Sequence, residues 1–350
     1  MNPIQKTNCC DLSGRSGIAI AGNVVTDFVK LIDSYPEKGM LSSIREISRA
    51  VGGCVSNTIM DLATIDPSLP LQAFGMVGDD ESGRFVTAQM QACGIDVSGI
   101  AVSQTHATSF SDVMSVTSTG ERTFFHHRGA NAVFSPAHIS VETLRCRMLH
   151  IGYILLLDAF DEFDAEYGTV MARFLHHVQK TGIKTSIDVV SESGKRFAEK
   201  VIPALQYTDN AIMNEIEACG VSGLSPRDAD GTLIMENVVA SLEKILACGV
   251  RDRAIIHCPE AGFCLSREQG VTVVPSLKLP KGYILGSVGA GDAFGAGCLY
   301  GIYNGYSDRE ILTFASGAAA CNLAAADSVS GMRSRDEIWN LIDKTEKLSF

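Results

Sequence analysis

The feature of this chain that most constrains its fold is an alternation of short apolar runs with longer amphipathic segments. Short continuous apolar runs are typical of strands buried on both faces, whereas a half-exposed strand alternates polar and apolar residues. We predict strands at 18–22, 71–75, 148–152, 184–189, 211–213 and 253–257, and helices at 56–64, 82–93, 164–181 and 237–248. This order predicts an α/β protein in which helices cover both faces of a mostly parallel sheet.

Two stretches break this rhythm. One of them contains polar/apolar alternation at 108–116 and an apolar run at 123–125, which predicts an antiparallel hairpin. A small sheet inserted into an α/β domain suits a lid, because enclosing a reaction excludes water. A peripheral edge sheet and a dimer surface are the alternatives. We predict a main domain of 1–29, 50–102 and 130–350, and a β-sheet lid of 30–49 and 103–129.

The charge balance limits the partners of this chain. Its 350 residues include 29 Lys and Arg against 40 Asp and Glu, which gives a formal net charge of −11 at pH 7. A nucleic-acid-binding surface needs clustered cations, so the acidic balance argues against nucleic acid as a partner. It does not exclude an anionic ligand, because backbone amides can hold phosphate without a formal charge.

The cysteine pattern and the hydropathy indicate the compartment. The chain has 11 cysteines and no Cys-x-x-Cys pair, which disfavours a zinc ribbon or a thioredoxin-type site. No apolar run is long enough to cross a bilayer, and the first residues lack the apolar core of a signal peptide. We expect a cytoplasmic protein with free, mostly buried thiols and no membrane partner.

The segment with the most chemical information is a glycine-rich stretch at 286–297, GSVGAGDAFGAG. It follows an apolar run at 283–285, which predicts a strand, and it leads into an apolar helix rich in small residues. Gly289 and Gly291 permit close backbone approach and positive φ angles. The N–H groups at the start of the helix then form an anion site that the helix dipole reinforces.

Asp292 is unusual in such a site, because a carboxylate repels a bound phosphate. The combination makes sense if a hydroxyl must lose its proton beside a phosphoryl group. Asp292 would accept that proton, while the amides of Gly289, Ala290 and Gly291 stabilise charge on the group in transfer. The alternative is an aspartate that caps its own helix, although capping alone needs no surrounding glycines.

Two other glycine motifs do not fit the sequence. The chain has no Gly-x-x-x-x-Gly-Lys-[Ser/Thr] sequence, so a P-loop is absent. Phe294 stands where a dinucleotide fingerprint requires glycine, which disfavours a dehydrogenase.

The stretch 289–292, Gly-Ala-Gly-Asp, resembles the end of the C-terminal signature of the ribokinase-like, or PfkB, carbohydrate kinases, Asp-Thr-x-Gly-Ala-Gly-Asp. The resemblance extends in the same order over nearly the whole chain. It implies a three-layer α/β fold with a mostly parallel sheet and an inserted β-sheet lid. It also implies an enzyme that uses ATP and Mg²⁺ and binds a sugar-like substrate.

The N-terminal part contains segments similar to the sugar-binding signatures of this family. Asn23 and Asp27 resemble the first sugar-binding segment, and Gly52, Gly53 and Asn57 resemble the family's first signature. A carboxylate can accept hydrogen bonds from two adjacent hydroxyls, an amide donates and accepts, and glycines let a sugar approach the backbone. The alternatives are a turn residue at the aspartate and a helix-surface amide at the last asparagine. The lid strand and its return are matched at 120–124 and 129–131.

Further matches concern the nucleotide. Asn214 and Glu217 form an Asn-x-x-Glu motif, which in the family orders Mg²⁺ and phosphate, with Glu217 acting through water. Surface helices produce this motif by chance, but here it follows a predicted strand. Gly262 persists from the family's nucleotide loop. Asn322, on an alanine-rich helix, would face adenine, although the same alanines could simply pack one helix against another.

The chain departs from the family pattern at places that matter for ligands. Gly286 replaces an aspartate that often helps to form a monovalent-cation site, which puts K⁺ dependence in doubt. His257 and Pro259 replace the threonine and the first glycine of the nucleotide loop. A lone histidine there is more often a structural residue at a strand end than a catalyst.

We predict an ATP- and Mg²⁺-dependent kinase that phosphorylates a hydroxyl, foremost the primary hydroxyl, of a sugar or sugar derivative. A nucleoside kinase of the same fold is one alternative. A non-catalytic sugar or nucleotide sensor is another, which the altered loop at 257–259 would favour. The retained Asp292 argues against a sensor, since a sensor needs no base among phosphate-binding amides. We also expect a possible homodimer through the lid.

Overall fold

The structure of this chain is a computed structural model, which describes residues 14–118, 121–191 and 196–349. The strands are β1 (Ile18–Gly22), β2 (Val25–Ile32), β3 (Ile44–Gly52), β4 (Leu71–Gly78), β5 (Asp96–Ser103), β6 (Phe110–Val116), β7 (Arg122–His127), β8 (Met148–Ile154), β9 (Phe163–Asp164), β10 (Gly168–Thr169), β11 (Lys184–Val189), β12 (Asn210–Asn214), β13 (Arg253–His257), β14 (Ala261–Ser266) and β15 (Gly270–Pro275). The α-helices are α1 (Gly53–Ile65), α2 (Glu81–Ala92), α3 (Asp158–Asp161), α4 (Val170–Lys180), α5 (Phe197–Leu205), α6 (Glu215–Ser222), α7 (Met235–Ala247), α8 (Ala290–Tyr303), α9 (Asp308–Asn322) and α10 (Arg335–Lys344).

The main sheet has nine strands in the order β15-β14-β13-β12-β11-β8-β1-β4-β5. Every pair from β13 to β5 is parallel, and β14 and β15 add an antiparallel edge. Parallel strands end at the same edge of a sheet, so the carboxyl ends of β1, β8, β11, β12 and β13 come together. Ligands of open α/β sheets bind outside this edge.

Helices cover both faces of the main sheet, and the residues of β1 show how. Ile18 and Ile20 belong to a core formed with α1, α2, α8, α9 and α10. Ala19 and Ala21 belong to a second core formed with α3 to α7. Successive side chains of a strand point to opposite faces, so a strand covered on both sides must be apolar throughout. The predicted three-layer α/β fold is confirmed.

A second sheet of four strands, in the order β3-β2-β6-β7, is inserted into this framework. The pairing of β2 with β6 is parallel, and the two outer pairings are antiparallel. Asp27, Ser111 and His126 lie side by side on one face of this sheet. The prediction of a small inserted sheet is confirmed, and the division of the chain into a main domain and a lid domain stays a prediction. Gly120 of the predicted lid motif lies outside the described residues.

Two predicted elements are wrong in detail. The helix predicted at 164–181 starts only with α4, because Asp164 forms a turn in which its Oδ1 accepts from the N–H groups of Glu166 and Tyr167 at 3.0 and 2.9 Å. The predicted strand at 283–285 is a loop. A turn at Gly282 precedes this loop, whose Leu285 N–H donates to the carbonyl of residue 323 rather than to a strand.

None of the helices formed by the described residues is long and apolar enough to span a membrane. The nine cysteines within the described ranges are all free, and seven of them are buried. Cys9 and Cys10 lie outside those ranges.

Candidate active site

A cavity of about 500 Å³ lies between the second sheet and the carboxyl edge of the main sheet. The second sheet contributes Asp27, Ser111 and His126 to its wall. The ends of β8, β11, β12 and β13 and the start of α8 form the opposite wall. The cavity therefore joins the lid to the edge where ligands of α/β sheets bind.

Asp292 lies in this cavity as the third residue of α8. Its Oδ2 accepts from Asn57 Nδ2 at 2.8 Å. The hydroxyl of Tyr153 lies 2.8 Å from Oδ1 and 3.0 Å from Oδ2. These bonds go to side chains of α1 and β8 and not to the backbone of α8. The carboxylate is therefore directed into the cavity and does not cap its own helix.

The pKa of Asp292 is raised to about 6, mainly by burial and next by the nearby carboxylate of Asp188. The hydrogen bonds from Asn57 and Tyr153 lower the pKa of the same group. A carboxyl with a pKa near 6 is mostly ionised at neutral pH yet binds a proton more readily than an exposed aspartate. This is the behaviour that a general base needs.

The glycine-rich turn before Asp292 has a conformation that only glycine adopts easily. Gly289 has φ +78°, and a Cβ there would lie 2.5 Å from the carbonyl oxygen of Ser328. The N–H of Ala290 makes one long bond, 3.4 Å, to the carbonyl of Ser287. The first N–H groups of a helix have no partner within the helix. Gly289 and Gly291 line the cavity, so this helix start presents donors to it.

Asn214 and Glu217 begin α6 and face the same cavity. The Glu217 carboxylate accepts from the N–H of Asn214 at 2.9 Å, from its Nδ2 at 2.8 Å and from the Ser191 hydroxyl at 2.8 Å. Asn214 Oδ1 accepts in return from the N–H of Glu217 at 2.9 Å. Burial raises the pKa of Glu217 to about 8 in spite of these bonds. The motif is thus both a helix cap and a wall of the cavity.

Asp188 is a cavity residue that the sequence analysis missed. It lies near the end of β11, where Oδ2 is 3.4 Å from Nε2 of His150. Its Oδ1 is buried and has no hydrogen-bond partner among the described residues. Burial raises the pKa of this carboxyl. The signal that could have found it, and Tyr153 with it, is the position of a polar residue at the carboxyl end of a predicted parallel strand.

The second sheet brings a chain of polar groups to the cavity. Burial raises the pKa of Asp27 to about 7, although Ser111 donates a hydrogen bond to it. The Ser111 hydroxyl is also 3.1 Å from Nδ1 of His126. Glycine is needed at Gly52 because a Cβ there would overlap Asp27 Oδ2. It is needed at Gly53 because φ is +83°, which other residues rarely adopt.

Four predicted ligand residues, Asn23, Gly52, Gly262 and Asn322, do not line the cavity, and neither does Ala290. Asn23 is completely buried, and its side-chain amide has no hydrogen-bond partner within the described part of the chain. Gly262 lies in β14, where a Cβ would be 3.1 Å from the ring of Phe294. Asn322 is buried and donates through Nδ2 to the carbonyl of Ser328 at 2.6 Å. Their roles as ligand contacts stay predictions.

Two histidines of the cavity differ in character. His257 ends β13, burial lowers its pKa to about 4, and its ring lies 4.8 Å from that of Phe294. It is therefore a neutral residue at a strand end. His126, which belongs to none of the motifs that the sequence identifies, contributes to the cavity wall from β7.

Comparison with known proteins identifies the family of this chain. The model of the pfkB family carbohydrate kinases matches residues 16–334. The chain belongs to this family. A ribokinase of Arabidopsis thaliana is 22% identical over 329 residues, which cover 93% of this chain and 80% of the relative. The resemblance to carbohydrate kinases that the motifs indicate is confirmed.

Two solved structures show the same fold. The A. thaliana ribokinase in complex with ribose and ATP has a TM-score of 0.74 at 17% identity, covering 94% of this chain and 99% of the other. An E. coli protein assigned as ribokinase II, in complex with ATP and Mg²⁺, has a TM-score of 0.73 at 19% identity with the same coverage, 94% and 99%.

Proposed function

We propose that this chain transfers the γ-phosphoryl group of ATP to a hydroxyl of an uncharged sugar or sugar derivative, with Asp292 as the general base. The observation that carries the proposal is the position of the Asp292 carboxylate. It lies in the cavity directly beside the start of α8, so a proton acceptor and phosphate-binding donors face one space.

The reaction needs only one proton transfer by the protein. Asp292 takes the proton of the acceptor hydroxyl as that oxygen forms its bond to the γ-phosphorus. The bond between the γ-phosphorus and the β,γ-bridging oxygen breaks, and ADP leaves with the bonding electron pair. The N–H groups of Gly289, Ala290 and Gly291 stabilise the charge on the transferring group. The primary hydroxyl of a sugar is the least hindered acceptor.

The donors of the cavity fit Mg²⁺ and a nucleotide phosphate. Magnesium prefers oxygen ligands, keeps several waters and is usually held by one or two carboxylates together with substrate phosphates. Glu217, ordered by Asn214, and the unpartnered Oδ1 of Asp188 provide such oxygens. Mg²⁺ would neutralise charge on the phosphates when bound. Gly262 and Asn322 remain proposed nucleotide contacts.

The charge of the cavity favours an uncharged acceptor. Four carboxyl groups line it, and no lysine or arginine within the described residues does so. Asp27, Asn57 and Gly53 offer hydrogen bonds and close backbone approach, which suit hydroxyl groups. An acceptor with its own carboxylate or phosphate would meet uncompensated negative charge.

The surroundings of Gly286 bear on whether the activity depends on K⁺. A Cβ at Gly286 would lie 2.7 and 3.0 Å from the carbonyl oxygens of Ala325 and Ala326. No side chain fits there, and Arg122 already donates from Nη2 to the Ala326 carbonyl at 3.2 Å. We infer that the activity does not depend on K⁺.

One observation favours a second candidate, a nucleoside kinase. Phe124 of β7 lines the cavity and is 54% exposed, so its ring could stack on a base. A nucleoside is also uncharged at neutral pH, and the catalytic step would be the same. The relative rates with nucleosides and with sugars as acceptors separate the two functions.

Replacement of the base tests the proposed function. We expect Asp292→Asn to reduce the turnover of Mg²⁺–ATP and acceptor at least about 100-fold, because the variant cannot accept the proton. The measurement is ADP release, with nucleotide binding followed by calorimetry. Binding should remain within a few-fold of that of the wild type.

A matched control is available on α1. Asp61 is also completely buried, without a partner for either carboxylate oxygen among the described residues, and burial raises its pKa well above the usual range. Asp61→Asn therefore replaces a neutral acid by a neutral amide and should leave turnover unchanged. Turnover of Asp292→Asn at the wild-type rate would exclude Asp292 as the base.

A further inference from the structure

We propose that Tyr153 is a positioning residue, which fixes the orientation of the Asp292 carboxylate and favours its charged form. The inference rests on the proposed function, in which Asp292 is the base. Tyr153 belongs to none of the motifs that the sequence identifies. It reaches Asp292 from the end of β8, 139 positions away in the chain.

The geometry separates the two oxygens of the base. Tyr153 is within hydrogen-bond distance of both, at 2.8 Å from Oδ1 and 3.0 Å from Oδ2. Asn57 contacts only Oδ2, at 2.8 Å, and is itself held by the Ser328 hydroxyl, which donates to Asn57 Oδ1 at 2.9 Å. Tyr153 has a single proton, so the shorter distance makes Oδ1 its main acceptor, while Asn57 donates to Oδ2. The two donors fix the plane of the carboxylate and leave it lone pairs for the acceptor hydroxyl.

The direction of the hydrogen bond follows from the surroundings of the tyrosine. Burial raises the pKa of Tyr153 well above its usual range, and the carboxylates of Asp292 and Asp188 raise it further. The phenol therefore stays protonated and donates to Asp292. A carboxylate that accepts a hydrogen bond is favoured in its charged form.

The other titratable groups that interact electrostatically with Asp292 mostly act in the opposite direction. They are Asp27 of β2, Cys54 of α1, Asp188 of β11, Glu217 of α6 and His150 of β8. Asp61 of α1 stays protonated, because burial raises its pKa well above the usual range. A negative charge on Asp292 is disfavoured beside these acids. Of the groups named here, only the His150 imidazole lowers the pKa of Asp292. Neutral hydrogen-bond donors must therefore stabilise the charged form of Asp292. Of the two donors, only Tyr153 reaches both oxygens of the base.

The test is a titration that needs no turnover. The protein is labelled with [γ-¹³C]aspartate, and the Asp292 signal is assigned by its absence from Asp292→Asn. We expect Tyr153→Phe to raise the apparent pKa of Asp292 by about one unit, because the ring is kept and one hydrogen bond to the charged form is lost. If the wild type phosphorylates no acceptor, the proposed function fails and this titration still decides the role of Tyr153.

Kinetics give a second readout. With a higher pKa, less of the base is ionised at a given acidic pH, so the acid limb of kcat/KM should move up by about one pH unit. The rate above about pH 8 should stay within a few-fold of that of the wild type. Tyr300→Phe is the control, since the Tyr300 hydroxyl lies 3.4 Å from Asp66, whose carboxylate is not part of the cavity wall. An unchanged Asp292 titration in Tyr153→Phe would overturn the proposal, as would a uniform loss of rate at every pH.

Discussion

Gly289 shows how a single residue determines the geometry of the phosphate-binding turn. Its φ of +78° lies in the left-handed region, and the carbonyl and Cβ of Ser328 lie 2.5 and 2.7 Å from where a Cβ would be. We expect Gly289→Ala to lower the melting temperature and to raise KM for ATP, because the turn must move to relieve the contact. The measurements are thermal unfolding and initial rates at varied ATP.

The control for this prediction separates backbone strain from the steric contact. Gly94 has nearly the same φ, +77°, but nothing lies within 4 Å of a Cβ there. Gly94→Ala should cost only the strain, about 1 kcal/mol, and leave KM for ATP unchanged. If the two variants lose equal stability and neither changes KM, the contact with Ser328 does not determine the turn.

The sequence allows part of the site to be predicted at the residue scale. Asp292 and the glycines before it are adjacent in the chain, so their common role can be read from local spacing. Tyr153 and Asp188 reach the same cavity only because β8 and β11 are neighbours in the sheet. A single polar residue after an apolar run has no such local pattern. Its importance follows from pairings between distant segments.

The second sheet has two faces with different chemistry. Asp27, Ser111 and His126 are in register on the face that lines the cavity. The opposite face carries Ile47 and Phe125, which are 62% and 59% exposed. Both side chains lie on outer strands of the sheet, and the ion pair of Lys30 and Asp112 lies on the same face between them. A partner there would cover a mixed apolar and charged surface. The sequence analysis expects a homodimer through the lid, and we propose that a second copy of this chain covers this face.

Substitutions on the face of the second sheet opposite the cavity test the dimer. We expect a protein with Ile47→Glu and Phe125→Glu to elute as a monomer where the wild type elutes as a dimer, because the two added carboxylates would be buried without a partner on association. Size-exclusion chromatography with light scattering gives the masses. Val102→Glu, on the edge strand β5, replaces a valine that is 54% exposed and serves as the control. A monomeric wild type at micromolar concentration would exclude this dimer.

Among the elements, strands that are buried on both faces were the easiest to predict. Their residues are apolar throughout, and β1, β11 and β13 have the predicted bounds. The same rule fails at 283–285, where Ile284 and Leu285 are 56% and 64% exposed. An apolar run shows that a segment can form a strand, but pairing requires a neighbour with free donors and acceptors. Here the loop after α9 takes the Leu285 N–H instead.

At the scale of the whole molecule, the net charge of −11 and the acidic cavity both disfavour the binding of anions. The four cavity carboxyls belong to Asp27, Asp188, Glu217 and Asp292, and burial raises the pKa of each of them. We therefore expect a polyanion to bind at the start of α8, where Mg²⁺ can offset its charge. An acceptor on the lid side has no such compensation.

This charge pattern predicts the choice of acceptor. Two like charges about 4 Å apart repel by about 4 kcal/mol at an effective dielectric constant of about 20, a strong penalty even when partly screened. We expect kcat/KM for a neutral aldose to exceed that for its aldonic acid at least about 100-fold, although both carry the same primary hydroxyl. ADP release with Mg²⁺–ATP measures this ratio, in K⁺ and in Na⁺ buffers, which should give equal rates.

The same assay separates the remaining functions. A nucleoside that is used better than every sugar would favour the nucleoside kinase, and Phe124→Leu should then raise its KM while leaving aldoses unaffected. ADP release from no acceptor at all would instead favour a sensor. Preference for the aldonic acid would contradict the argument from charge, since an acid could bind among four carboxyls only if a cation outside the described residues compensated it.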